Sequence, residues 1–323
     1  MVDHKQDPVL AFDFGGTKLV AAVVDAASGE IHAQARRPTP VTQGAEASLE
    51  TMLQAGRDAL AGVSGRLRQI SAIGISFGGP VSQDRRRVLR SMHVKDWENY
   101  DLPSRLEAAI GRPAFMDNDA NAAALGEWYF GAGKGTANMV YLQVSSGIGA
   151  GLILNRQVYR GAGLAGEFGH LTVLEDGPVC SCGKHGCVES LASGWAIARD
   201  GRALLATGAG SLLRALCGDR PGSLDAELVL RACRAGDPAA SASIQKAFKY
   251  LALGIANLIL LVDPEVIVVG GGVARSWDVL QTSLDLDLPQ YLPPMFAQRT
   301  RLVFSELNGQ ETLLGAALLT KGF

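Results

Sequence analysis

Apolar residues along this chain fall into two patterns: short unbroken runs that end at glycine, and longer stretches in which they recur every three or four positions. The unbroken runs are strands buried on both faces, the longer period marks helices with one buried stripe, and their alternation predicts an α/β protein. Residues 9–14 and 19–24 form two buried strands joined through Gly15-Gly16-Thr17-Lys18, a β-hairpin. The helical period holds over residues 46–67, and residues 70–76 form a strand that ends in Phe77-Gly78-Gly79-Pro80. A short helix over 103–110 and a short strand over 113–116 lead into Asp117-Asn118-Asp119-Ala120-Asn121, ahead of an alanine-rich run. Asp or Asn in that place is a helix N-cap pattern.

The strand over 137–144, the turn Ser145-Ser146-Gly147-Ile148-Gly149-Ala150-Gly151 and the strand over 152–154 repeat the layout of the opening hairpin. Helices are expected over 191–205 and 226–235, with a glycine- and turn-rich connection over 206–222. Residues 239–262 form a long helix that buries Phe248, Leu251, Ile255, Leu258 and Leu261 and stops at Asp263-Pro264. A strand over 266–269 ends in Gly270-Gly271-Gly272, a bare backbone turn into a helix, and a short apolar helix follows over 311–319. Two similar glycine-turned hairpins, each heading a run of strands and helices, predict two related lobes with a nucleotide between them. The expected division is 1–117 for the first lobe, with 306–323 packing back on it, and 118–305 for the second.

Composition narrows the function classes. With 323 residues, 47% of them hydrophobic, and a formal charge of −2, the chain can bury full cores and is not built for a polyanion, so no nucleic-acid partner is expected. Arg85-Arg86-Arg87 reads as a solvated loop, not as a basic face. The first residues are charged and polar and no apolar run reaches the length of a membrane span, which predicts a cytoplasmic protein without a membrane partner. Of the five cysteines, Cys217 and Cys233 look like ordinary buried thiols, and the pattern fits a reducing compartment.

The other three cysteines carry chemistry. His170 with Cys180, Cys182 and Cys187 makes a set of one imidazole and three thiols, and Gly183 and Gly186 let the backbone fold tightly enough for them to converge. Structural zinc takes four tetrahedral ligands of this kind; the plainer alternative is three reduced thiols and an unrelated histidine in a loop. Glu167 and Glu189 flank the set, so fixing the metal fixes two carboxylates suited to sugar hydroxyls. A Gly-Gly hairpin alone only turns a chain, but Asp13 suits a hydrated magnesium and Thr17, Lys18 and the glycine N–H groups suit phosphate. The Gly78-Gly79 turn closes a strand at the end where ligands gather in α/β sheets. Capping explains one polar residue over 117–121 but not four in five positions. Asp119 is the candidate base there, with Asn118 on a sugar and Asp117 and Asn121 capping.

Together these pieces resemble the ROK family of repressors, open reading frames and sugar kinases, over almost the whole chain. Asp13-Phe14-Gly15-Gly16-Thr17-Lys18 is similar to the family's first phosphate motif, Ser145-Ser146-Gly147-Ile148-Gly149 to its second, and Gly270-Gly271-Gly272 to its adenosine motif. Glu167-Phe168-Gly169-His170 with Cys180-Ser181-Cys182-Gly183-Lys184-His185-Gly186-Cys187-Val188-Glu189 is similar to its signature. The resemblance implies a two-lobed actin-like, hexokinase-like (ribonuclease H-like) α/β fold, with ATP and sugar in the cleft between lobes. It implies ATP-dependent phosphorylation of a hexose at C6, with Mg2+ and a structural Zn2+, and a homodimer. By the same resemblance Asp119 is the base, and Gly79, Asn118, Glu167, His170 and Glu189 meet the sugar. Asp13, Gly15, Gly16, Thr17, Lys18, Ser146, Gly147, Gly149, Gly271 and Gly272 meet the nucleotide, while His170, Cys180, Cys182 and Cys187 hold zinc. In the family the histidine binds zinc through one nitrogen and faces the substrate with the other.

The chain departs from the family pattern at Gln143 and Ser145, which bears on nucleotide affinity, and at Phe77-Gly78-Gly79 and His93, which bears on the identity of the hexose. Glucose is the first expectation, ahead of N-acetylmannosamine, N-acetylglucosamine, mannose, allose and fructose. Two rivals are a sugar-responsive transcription factor of the same family, whose repressors carry a helix-turn-helix segment ahead of the first hairpin, for which eight residues are too few, and a catalytically silent zinc-stabilised sugar sensor, which would not need Asp13, Asp119 and the phosphate turns.

Overall fold

The computed structural model of the chain describes residues 8–92, 94–218, 222, 224–296 and 298–323, so His93 lies outside the described residues. Contacts divide the chain into two compact units, one of residues 1–141, 151–166 and 305–323, the other of residues 142–150 and 167–304. This division and the sequence-based one at residue 118 differ over the helix that starts at Asp119, which belongs here to the first unit.

In the first unit β1 (Pro8–Phe14), β2 (Lys18–Asp25), β3 (Ile31–Pro38), β4 (Ala72–Phe77) and β5 (Ala114–Asn118) form a sheet of order β3-β2-β1-β4-β5. β1 runs antiparallel to β2 and parallel to β4. Its unbroken apolar run has a direct cause. Leu10, Phe12 and Phe14 pack with Leu49 and Met52 of α1 (Gly44–Ala61) and Leu102 and Leu106 of α2 (Leu102–Ile110). Val9 and Ala11 point the other way, to Leu313, Leu314, Ala316 and Ala317 of α10 (Glu311–Leu319). Both faces are covered, so no position along the strand is left for a polar residue until Asp13. α3 (Asp119–Tyr129) packs against α10.

The second sheet, of order β10-β9-β6-β7-β8, is built from β6 (Met139–Val144), β7 (Ile148–Leu154), β8 (Gln157–Val158), β9 (Val266–Gly270) and β10 (Arg301–Phe304). The boundary between units falls inside β6 and β7. Within the second unit, α4 (Val188–Ala192) to α9 (Trp277–Tyr291) include α5 (Gly194–Ala206), α6 (Ser211–Cys217), α7 (Ala226–Arg234) and α8 (Pro238–Val262).

Several expectations need correction. α1 ends at Ala61 against Gly62, and the period continues only as a 3₁₀ turn over Gly65–Arg68. The helix expected over 191–205 is two helices, because Ser193 is extended and caps α5 by accepting from Ala196 N. The connection over 206–222 contains α6. Leu261 is 80% exposed, since the buried stripe of α8 passes through Ile259 instead. α8 is also long and apolar enough to cross a membrane by composition, yet its stripe of Phe248, Leu251, Ala252 and Ile255 is fully buried in the fold, as in a core helix. Arg87 is exposed as expected, while Arg86, partly exposed, also donates to Glu107 at 3.1 and 2.8 Å and to Ser104 Oγ at 2.8 Å, fastening its loop to α2.

Candidate active site

The two glycine turns of the first unit stand on one aromatic floor. Phe14 and Phe77, which end β1 and β4, stack with ring centroids 4.9 Å apart, and Trp97 meets both edge-on at 5.2 and 5.0 Å. Such pairs contribute roughly 0.5–1.5 kcal/mol each beyond the area they bury. From this floor Gly15-Gly16-Thr17-Lys18 turns into β2, closed by Gly15 N donating to Lys18 O at 3.0 Å. Thr39 Oγ1, which gave no signal in the sequence, ties the turn by donating to Gly15 O at 2.7 Å. Asp13 is buried, accepts from Ser76 Oγ of β4 at 3.1 Å and is hydrogen-bonded by Thr312 of α10. Burial pushes its carboxyl upward, while Lys18 and the two hydroxyls pull the other way.

β5 gives way to α3 at the polar cluster. Asn118 is the cap: its Oδ1 accepts from Ala120 N at 2.9 Å and Asn121 N at 3.4 Å. The capping role expected of Asp117 and Asn121 therefore belongs to Asn118, whose Nδ2 also donates to Gly79 O at 3.2 Å. Asp117 is instead a buried hub. Its Oδ1 accepts from Asn118 N at 2.8 Å and Asn121 Nδ2 at 2.9 Å, and its Oδ2 from Arg160 Nε at 2.7 Å. Asp119 accepts from Ala120 N at 3.0 Å through Oδ1. Its Oδ2 hangs over the β4 turn, because a methyl built on Gly78 would lie 3.8 Å from it and 3.0 Å from Phe14 O. Asp119, Gly79, Asn118 and the start of the first hairpin are thus side by side.

The second unit gathers the remaining candidates. Donor atoms of His170, Cys180, Cys182 and Cys187 all lie within 4.8 Å of one another. Nδ1 of His170 is 3.7 Å from Cys180 Sγ, and Cys182 Sγ is 3.8 Å from Cys187 Sγ. A tetrahedral site with Zn–S bonds of about 2.3 Å has S–S edges of about 3.8 Å, so the donor set fits zinc in kind and in spacing. Gly183 and Gly186, at φ of 89° and 63°, make the tight turns that bring the thiols round. Burial, with the neighbouring thiols, pushes Cys187 up to about 12. On the far side of the ring, His170 Nε2 faces Glu167 Oε2 at 3.8 Å. Partial burial raises the carboxyl of Glu167, opposed by His170.

Glu189 links this loop to the second glycine turn. Its Oε2 accepts from Ile148 N at 3.0 Å and its Oε1 from Ser181 Oγ at 3.0 Å, leaving each oxygen a second lone pair for a ligand. A methyl on Gly147 would sit 2.8 Å from Glu189 Oε2, so a side chain there would displace that carboxylate from Ile148 N. Behind the turn, Gly194 N and Trp195 N at the start of α5 donate to Ser145 O at 2.7 Å and Ser146 O at 3.2 Å. The Ser145 hydroxyl lies against Gly272 of the Gly270-Gly271-Gly272 turn, where a methyl would be 3.6 Å away.

Paired glycine turns at strand ends, a buried aspartate beside one of them and a cysteine-histidine loop beside the other define a hexokinase-like α/β protein. The chain belongs to the ROK family, whose model matches residues 9–322. It is 33% identical over 316 residues to a glucokinase of Streptomyces coelicolor, covering 97% of each chain. It is 32% identical over 316 residues to an N-acetylmannosamine kinase of Shigella flexneri, covering 97% of this chain and 98% of that one. Its fold superposes on a ROK family glucokinase from Streptomyces griseus, solved with glucose and AMPPNP, with a TM-score of 0.85 and 32% identity, covering 98% and 100% of the two chains.

Proposed function

We propose that this protein is an ATP-dependent hexose kinase that transfers the γ-phosphoryl group to the C6 hydroxyl, with glucose as the first substrate. The observation that carries this is the position of Asp119: its carboxylate stands at the β5–α3 junction beside Gly78 and the end of β1, where the first phosphate turn begins. A base held there by the backbone N–H of Ala120 suits a primary alcohol presented to ATP. In the reaction the bond from the γ phosphorus to the β-phosphate oxygen breaks, the bond to the C6 oxygen forms, and Asp119 takes the hydroxyl proton. Phosphoryl transfer is mostly positioning and charge neutralisation.

In this reading the chain's residues divide the work. Thr17, Lys18 and the backbone of Gly15 and Gly16, with Ser146, Gly147 and Gly149, hold phosphates, while Gly271 and Gly272 lie against the adenosine. Asp13 would hold hydrated magnesium, which supplies charge neutralisation when bound. Gly79, Asn118, Glu167, His170 and Glu189 meet the sugar. His170, Cys180, Cys182 and Cys187 would hold structural zinc; with four protein ligands it activates no water and serves to fix the loop and the tautomer of His170. Nδ1 toward the thiols leaves Nε2 as the nitrogen that faces a hydroxyl. A cytoplasmic homodimer completes the proposal.

A coupled ADP-release assay over glucose, N-acetylmannosamine, N-acetylglucosamine, mannose, allose and fructose tests it. Glucose is expected to give the highest kcat/KM. Preference for N-acetylmannosamine would keep the chemistry and replace the substrate, and silence with every hexose would leave a sugar sensor.

A further inference from the structure

We propose that Arg160 is a positioning residue for Asp119, acting through the buried carboxylate of Asp117. The inference rests on Asp119 being the base. Nothing in the motifs points to Arg160, which lies in the connection ahead of Glu167. Its side chain is held from three sides: Nε donates to Asp117 Oδ2 at 2.7 Å, Nη2 to Phe323 O at 3.1 Å and Nη1 to Val158 O at 3.4 Å. Arg85 Nη1 donates to the same Phe323 oxygen at 3.0 Å, so that oxygen braces both guanidiniums. The side chain of Asp117 is 1% exposed, and Arg160 is its hydrogen-bonded cation among the described residues.

The other oxygen of Asp117 binds the two asparagines that bracket Asp119 in the chain. Asn118 N donates to Oδ1 at 2.8 Å and Asn121 Nδ2 at 2.9 Å, while Asn118 caps α3 and ties the Gly79 turn. The backbone of Asp119 is thus set by neighbours that share one carboxylate, and that carboxylate is neutralised by Arg160. Removing a partner from a buried pair leaves an uncompensated charge, which the local structure relieves by moving. Movement of the base by about 1 Å costs on the order of 10²-fold in rate.

Steady-state kinetics with glucose, ATP and Mg2+ on four variants of the full chain tests this. Arg160→Ala is expected to lower kcat by about 10- to 100-fold while the KM values of glucose and ATP move by less than about threefold. Arg160→Lys restores a charge without the three-way bracing and is expected to recover part of kcat. In Asp117→Asn the hub is neutral, so adding Arg160→Ala to it is expected to cost less than about threefold more. An Arg160→Ala enzyme with kcat within about threefold of the parent, or one changed only in KM, overturns the proposal. If Arg160→Ala does not fold, Arg160→Lys and the comparison of Asp117→Asn with the double variant carry the test, and a further loss in kcat of more than about threefold from Asp117→Asn to the double variant overturns it. Asp119→Asn is run alongside. If it keeps turnover the base assignment fails; if it is inactive while Arg160→Ala keeps kcat within about threefold of the parent, only the positioning role fails.

Discussion

Asp237 caps two helices at once. Its Oδ1 accepts from Ala239 N and Ala240 N at the start of α8, and its Oδ2 from Leu212 N and Leu213 N in the first turn of α6. Burial works against its charge, but the four N–H groups prevail and hold the carboxyl below its usual range. Each cap is worth about 1 kcal/mol, so Asp237→Ala is expected to lower the unfolding free energy by about 2 kcal/mol in urea titrations. Because the folded value is depressed, this stability is present above the unfolded pKa near ~3.9 and is lost as pH falls through the lower folded value. Asp237→Asn is expected to remove that acid dependence; an unchanged slope of stability with pH would contradict the assignment. At this scale the sequence told which residue types were unusual but not how they share the work. Four polar residues lie over 117–121, and only geometry makes Asn118 the cap and Asp117 the hub. Arg160 was silent because its partner Asp117 is 43 positions away along the chain.

Strands buried on both faces were legible because unbroken apolar runs such as 9–14 have few other homes. Edge strands were not. β3, reading Ile31-His32-Ala33-Gln34-Ala35-Arg36-Arg37-Pro38, contributes little more than Ala33 and Ala35 to its core and looks polar. β10 is likewise a short edge, and α6 hides between glycines. The aromatic floor beneath the glycine turns predicts a further outcome: Trp97→Ala is expected to cost about 3–5 kcal/mol of stability, read by chemical denaturation. A loss under about 1 kcal/mol would mean that the floor can close over the gap. The cysteine loop was legible from spacing alone, and the geometry agrees with a four-donor site. Metal analysis of the purified protein is expected to find one zinc per chain, and chelation to raise the glucose KM or unfold the loop. Unchanged kinetics in a metal-free sample would remove zinc from the account.

The whole molecule is a ROK protein of hexokinase-like fold, and it resembles glucokinases over nearly its whole length. Family membership was readable because several weak glycine turns and one specific cysteine-histidine signature occur in one order along the chain. The choice of hexose was less legible, since relatives with glucokinase and N-acetylmannosamine kinase activities share similar identity with this chain, 33% and 32%. The central claim is that Asp119 readies a sugar alcohol for ATP, and it has a direct test. Turnover of glucose and ATP by Asp119→Ala is measured together with glucose binding by calorimetry. The account predicts a fall of about 10² to 10⁴ in kcat with glucose affinity largely intact. A variant that binds glucose and keeps near-full turnover would contradict it.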